Sequence, residues 1–130
     1  MSQSTIADLV ASARLQVENL SSEEMLRELT ADNAVLVDLR EPEERAATGS
    51  IPGAIAVPRG MLEFRADPSS PYHLPDFDPA ERVILFCASG GRSALGVLAL
   101  KQLGYRNVAH LAGGLNAWMA EGHPTVPVAN

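Results

Sequence analysis

The chain has 130 residues, a formal net charge of −6, 46% apolar and 20% charged residues, the balance of one ordinary globular domain. Its ten basic residues form no Lys/Arg run, which argues against nucleic acid or an anionic membrane as the partner. The single cysteine, Cys87, excludes an internal disulfide, and His73, His110 and His123 are too widely spaced for a zinc pattern, so neither metal nor cofactor is expected.

The opening stretch, MSQSTIADLVASARLQ, lacks the basic region and unbroken apolar core of a secretory signal. No stretch reaches the ~20 apolar residues of a membrane span. The expected location is the cytoplasm, where a lone thiol stays reduced. Within this stretch Ile6, Leu9, Val10 and Ala13 recur at helical spacing behind a Ser/Thr cap. In LSSEEMLREL, Ser21 or Ser22 followed by Glu24 reads as a capping box, with Met25, Leu26 and Leu29 on one face. Two short helices are therefore predicted before the first strand.

AVLVDLR is a β-branched apolar run and reads as that strand. EPEERAA follows as a helix with Pro42 in its first turn, then AIAVP as a short strand. Residues 59–81 break the rhythm: Met61, Leu62 and Phe64 allow one helical turn, after which Pro68, Pro71, Pro75 and Pro79 forbid regular structure. RVILFC is the next strand, RSALGVLALKQLG a helix closed by Gly104, NVAHL a strand, and GLNAWMAEG a helix closed by Gly122. Strands that alternate with helices and are apolar throughout predict an α/β domain. Its sheet is parallel, covered on both faces, with its site at the carboxyl ends of strands.

Cys87 stands at such an end. The helix SALGVLAL begins about six residues on, so ASGGR must form a tight strand-to-helix loop. Gly90 and Gly91 permit positive φ, and loops of this kind turn successive backbone N–H groups inward to make an anion nest at a helix N-terminus. Those donors, the helix end and Arg92 favour thiolate over thiol, so Cys87 is expected to be a thiolate at neutral pH. The opposing reading is an inert core cysteine.

VDLREPEE, GSIPGA, ILFCASGGRSA and LAGGLNAW occur in the order and spacing of the rhodanese-like (sulfurtransferase) domain family, which the chain resembles from about residue 18 to 125. The family pattern D-x-R-x-x-x-E is met by Asp38, Arg40 and Glu44, and G-x-I-P-G-A by Gly49, Ile51, Pro52, Gly53 and Ala54. Ser50 stands where the family usually has His. The resemblance implies a three-layer domain with a five-stranded, mostly parallel sheet and helices on both faces. Residues 1–17 are then a helical extension, 18–125 the domain and 126–130 a tail. It implies also that Cys87 takes a sulfane sulfur as a persulfide from thiosulfate or another persulfide and passes it to cyanide, a thiol or a partner protein. Ala88, Ser89, Gly90, Gly91, Arg92 and Ser93 would bind the donor.

Four residues separate Cys87 from Arg92, whereas cysteine phosphatases and arsenate reductases use C-x-x-x-x-x-R. The shorter cradle suits a sulfur atom better than a phosphoryl group. Dephosphorylation or arsenate reduction is the enzymatic alternative, and a rhodanese-like binding or regulatory module without turnover is the third reading. With no second cysteine, the sulfur acceptor must be external.

Among the remaining residues, Arg92 is assigned to the anionic donor, Ser89 and Ser93 to hydroxyl bonds with the sulfur, with Ser93 equally fit to be a plain N-cap. Asp38 and Arg40 are expected to brace the cysteine loop, Asp38 by bonding loop amides. Arg40 and Glu44 are spaced for a local i,i+4 ion pair. Arg59, Glu63, Arg65, Tyr72 and His73 could cover the mouth of the site, Phe64 is expected to pack, Trp118 to lie in the core, and His110 to be a satisfied, half-buried histidine rather than a base.

Overall fold

The computed structural model describes residues 3–128, so the first two residues of the expected extension and the last two of the expected tail lie outside the described residues. Helix α1 spans Ile6–Gln16, and Thr5 and Asp8 exchange side-chain and backbone bonds at its start (3.0 and 3.1 Å). Strand β1 is Glu18–Leu20, and α2 is Ser22–Thr30, opened by the reciprocal Ser21–Glu24 capping box. Then come β2 (Val35–Asp38), α3 (Pro42–Thr48) and the two-residue β3 (Ile55–Ala56). A 3₁₀ turn at Arg59–Met61 leads into α4 (Leu62–Ala66). The chain ends with β4 (Val83–Phe86), α5 (Gly91–Gln102), β5 (Val108–Leu111) and α6 (Gly114–Ala120).

The five strands form one parallel sheet in the order β1-β5-β4-β2-β3. The predicted α/β class and its covered parallel sheet are what the chain builds. β4 and β5 are buried along their whole length, which is why their sequences are continuously apolar. Side chains of β4 alternate between two cores: Val83 and Leu85 pack with Val37, Leu39, Leu62, Val97 and Leu100, while Ile84 and Phe86 pack with Leu36, Met25, Ala109, Leu111 and Trp118. Cys87 continues the first of these sets, so the alternation directs its sulfur to the α5 side.

Three local expectations change. A strand, β1, separates the first two helices, its three residues too short and too polar on the exposed side to show a strand pattern. Helix α5 begins at Gly91, with Gly90 as its cap, so Ser93 is not an N-cap but lies buried inside the first turn. The segment 59–81 keeps its single α-helical turn, and it is anchored by buried Leu62, Ala66 and Phe77 and by the Tyr105 hydroxyl, which donates to Ala66 O at 2.7 Å. Phe64 is 52% exposed and meets Tyr72 edge-on, so the packing aromatic of this segment is Phe77 instead. Near the C-terminus Val126 exchanges backbone bonds with Ser50 (2.8 and 2.9 Å). Among the described residues no helix is long and apolar enough to cross a membrane.

Candidate active site

The loop after β4 is held open side inward by its carbonyls. The Cys87 and Ala88 carbonyls accept from Leu115 and Asn116 N–H at the start of α6 (2.8 and 3.0 Å). The Ser89 carbonyl accepts from Arg14 Nη2 at 3.1 Å, and Nη1 of the same guanidinium donates to Ala112 O at 3.0 Å. With the carbonyls engaged outside, the Gly90 N–H points at Cys87 Sγ, 3.2 Å away. Gly90 has φ +100°, and a Cβ there would run into Ala112 O and Arg14. Gly114, φ +64°, abuts the Ala88–Ser89 peptide with the same consequence, so both glycines are demanded by close approach of backbone. Of the several amides expected to reach the sulfur, one does.

Cys87 is 1% exposed, and Ser93 Oγ lies 3.6 Å from its sulfur. Ser93 is in turn 2.7 Å from His110 Nδ1, and His110 Nε2 is 2.7 Å from Asn19 Oδ1. His110 is wholly buried, not half-buried, and both ring nitrogens are engaged. Burial, with a smaller contribution from the Arg14 charge, pulls its pKa down to about 4. Beyond Cys87 at the end of β4, three elements, β1, α5 and β5, supply this chain. Nothing local in the sequence marks Asn19 or Arg14, because each reaches the site through tertiary packing, Asn19 from β1 and Arg14 from α1.

Arg92 turns to Glu44 in a two-pronged bond, Nη1–Oε1 2.7 Å and Nη2–Oε2 2.9 Å. Its hydrogen bonds to Arg92 hold Glu44 well below the usual carboxylate range, at about 2, against the opposing effect of burial. The same bonds push Arg92 further up, with Cys87 a smaller contributor. The expected Arg40–Glu44 ion pair does not form: Arg40 touches only the Glu44 backbone carbonyl, at 3.3 Å. Arg40 is 2% exposed and its guanidinium needs a buried counter-ion, which Asp38 supplies through Nε at 3.1 Å and Nη2 at 2.9 Å. Gly49 O (2.6 Å) and Thr48 Oγ1 (2.8 Å) take the remaining hydrogens.

Asp38 does not bond the amides of the cysteine loop either. Its carboxylate, fully buried, accepts from the Arg40 backbone and side chain, from Arg45 Nε (3.1 Å) and from the Ser50 hydroxyl (2.8 Å). Ser50 thus serves the turn contact that its departure from the family pattern puts in question. Asp38 and Arg40 form a hub beneath the turn 48–50, and the link from this side to the cysteine loop is the Glu44–Arg92 pair. Arg40 does line, with Glu44, Thr48, Ala88, Asn116 and Met119, a cleft of about 300 Å³ beside the loop.

The polar residues of segment 59–81 bond among themselves: Arg59 to Glu63 (2.8 Å), Arg65 to the Tyr72 carbonyl (3.3 Å) and His73 to the Phe77 carbonyl (2.9 Å). Trp118 is core, as expected, its indole N–H on Pro124 O at 2.8 Å.

A cysteine at the carboxyl end of a buried parallel strand, in a loop that opens the next helix, stands where parallel α/β domains carry their sites. The rhodanese-like domain family model matches residues 21–121, and the chain belongs to that family. A sulfurtransferase of Allochromatium vinosum is 32% identical over 111 residues, 85% of this chain and 95% of that protein. The thiosulfate:glutathione sulfurtransferase of Saccharomyces cerevisiae is 36% identical over 69% of this chain and 68% of its own. A solved structure from Rhodopseudomonas palustris, of a protein of unknown function called a possible tyrosine phosphatase, superposes with a TM-score of 0.87. Its identity is 37%, over 97% of this chain and 99% of that one.

Proposed function

We propose that the protein is a single-domain sulfurtransferase that works through a persulfide on Cys87. The thiolate attacks the outer sulfur of a small anionic donor such as thiosulfate, or of a persulfide. The donor S–S bond breaks with its electron pair leaving on the departing group, sulfite in the case of thiosulfate. The persulfide anion then yields its outer sulfur to an external nucleophile, cyanide, a thiol or a partner protein, which regenerates the Cys87 thiolate. Atoms and charge balance at each step, and no cofactor takes part.

The observation that carries this reading is the Gly90 N–H at 3.2 Å from Sγ, in a loop of only four residues between Cys87 and Arg92. A backbone donor aimed at sulfur favours negative charge there in both the thiolate and the persulfide. The sulfurtransferase relatives support the same chemistry. Residues 88–93 form the donor-binding loop in this reading. Arg92 supplies the positive charge, while Asp38 and Arg40 act from behind by holding the turn against which α3 and its Glu44 are set. The setting is a reducing compartment such as the cytoplasm.

Intact-mass measurement after incubation with thiosulfate tests this directly. The protein is expected to gain one sulfur atom, to lose it on adding cyanide with release of thiocyanate, and to do neither as Cys87→Ser. Hydrolysis of an aryl phosphate or reduction of arsenate without retained sulfur would replace this reading with the phosphatase-type alternative. Absence of every turnover would leave a binding module.

A further inference from the structure

The protons of the hydrogen-bonded chain that runs from buried Cys87 to exposed Asn19 are assigned from its outer end. Asn19 Nδ2 donates to the carbonyls of Arg14 (2.9 Å) and Val17 (3.1 Å), which leaves Oδ1 as the atom facing His110 Nε2 at 2.7 Å. A carbonyl oxygen only accepts, so Nε2 carries the hydrogen and Nδ1 keeps its lone pair. Ser93, 2.7 Å from Nδ1, therefore gives its one hydroxyl proton to His110 and turns lone pairs toward Sγ, 3.6 Å away. Among the described residues the thiol proton has one receiving atom, Ser93 Oγ, and behind it a second, His110 Nδ1.

We propose that His110, acting through Ser93, is the internal acceptor of the Cys87 thiol proton, with Asn19 holding the ring in the tautomer that can receive it. The inference rests on Cys87 being the nucleophile. The S–H bond breaks as its proton passes to Ser93 Oγ, and the original hydroxyl proton passes to His110 Nδ1. Thiolate and imidazolium result, Ser93 now donating to sulfur and Nδ1–H to Oγ, while Nε2–H stays on Asn19. No proton enters or leaves, and every polar atom of the chain has a partner in both forms.

The charged or titratable groups that face His110, among the described residues, are Arg14 from α1 and, through Ser93, Cys87 at the end of β4. β1 and α5 present the uncharged Asn19 and Ser93. Burial and the Arg14 charge keep solvent from charging the ring at neutral pH. The proton reaches it when a negative sulfur is left in the same buried chain. Ser93 is the residue that touches the reacting atom, and His110 and Asn19 act through it.

Because the chain has one cysteine, ultraviolet absorbance of the thiolate, read against Cys87→Ser, reports Cys87 alone and needs no sulfur donor. Asn19→Asp gives up the N–H donors to the Arg14 and Val17 carbonyls and places a carboxylate on Nε2–H, which favours the imidazolium, so the thiolate midpoint is expected to fall by about one pH unit, or about tenfold in the ionisation constant. His110→Phe removes the acceptor, and the midpoint is expected to rise by at least about as much. A role in packing alone moves neither midpoint in a patterned way. Asn19 is an exposed residue, so its variant decides the matter even if His110→Phe does not fold. An Asn19→Asp midpoint that stays in place or rises overturns the proposal, as does a folded His110→Phe with an unchanged midpoint. Shifts in the expected directions, in a protein that retains no sulfur from either thiosulfate or a small persulfide, would uphold the relay and overturn the sulfurtransferase reading. Sulfur retention without the shifts would do the reverse.

Discussion

Glu44 and Arg92, 48 residues apart in the chain, meet in a two-pronged ion pair at 2.7 and 2.9 Å that ties α3 to the helix opened by the cysteine loop. Both side chains are more than a third exposed, 35% and 37%, so solvent screens the pair. Glu44→Gln is expected to cost no more than about 1 kcal/mol in urea unfolding. The sign of its pH dependence follows from a carboxyl lowered from 4.5 to about 2 on folding. The contribution is present above the unfolded value and is lost as pH falls toward the folded one. Wild type and variant should therefore differ most above about pH 4.5 and converge as pH approaches about 2.

Asp38 is the counter-ion of a guanidinium that is itself 2% exposed, and it also takes Arg45 and the Ser50 hydroxyl. Removing one partner of a buried pair leaves the other charged and unsatisfied. Asp38→Asn is expected to destabilise by about 3–5 kcal/mol in denaturant unfolding. Ser50→Ala, which removes one donor among several, should cost only about 1 kcal/mol. Equal costs for the two variants would refute the hub.

Gly90 and Gly60 offer a matched comparison. Gly90 has a left-handed backbone and no room for a Cβ, whereas a Cβ on Gly60 meets nothing within 4 Å. Gly90→Ala should lose more than about 2 kcal/mol in stability, because strain and the collision with Ala112 and Arg14 combine. Gly60→Ala should stay within about 0.5 kcal/mol of wild type. Sulfur retention by intact mass should vanish only in the first.

The elements legible in the sequence are those signalled by local chemistry. Thr5 and Ser21 cap their helices by reciprocal bonds three residues away, and VILF is apolar at every position because β4 is covered on both faces. β1 carries no strand signal of its own, since its strand character comes from pairing with β5, not from its side chains. Arg40 and Glu44 had the spacing of an ion pair, but a nearly fully buried guanidinium takes the buried carboxylate two residues away, which frees Glu44 for Arg92. His110 was legible as satisfied, yet its satisfaction by Ser93 and Asn19 could not be read from NVAHL.

The alternation of strand and helix, the placing of Cys87 at a strand end and the glycine that lets the loop turn are local properties of the chain, since each depends on chirality, residue period or a missing Cβ within a few residues. The tertiary structure alone decided which side chains surround the sulfur. Arg14 on Ser89, Glu44 on Arg92 and Asn19 behind His110 join elements far apart in the chain. They meet because the sheet runs in the order β1-β5-β4-β2-β3, and because buried charges and hydrogen-bonding groups take the partners that this order brings within reach.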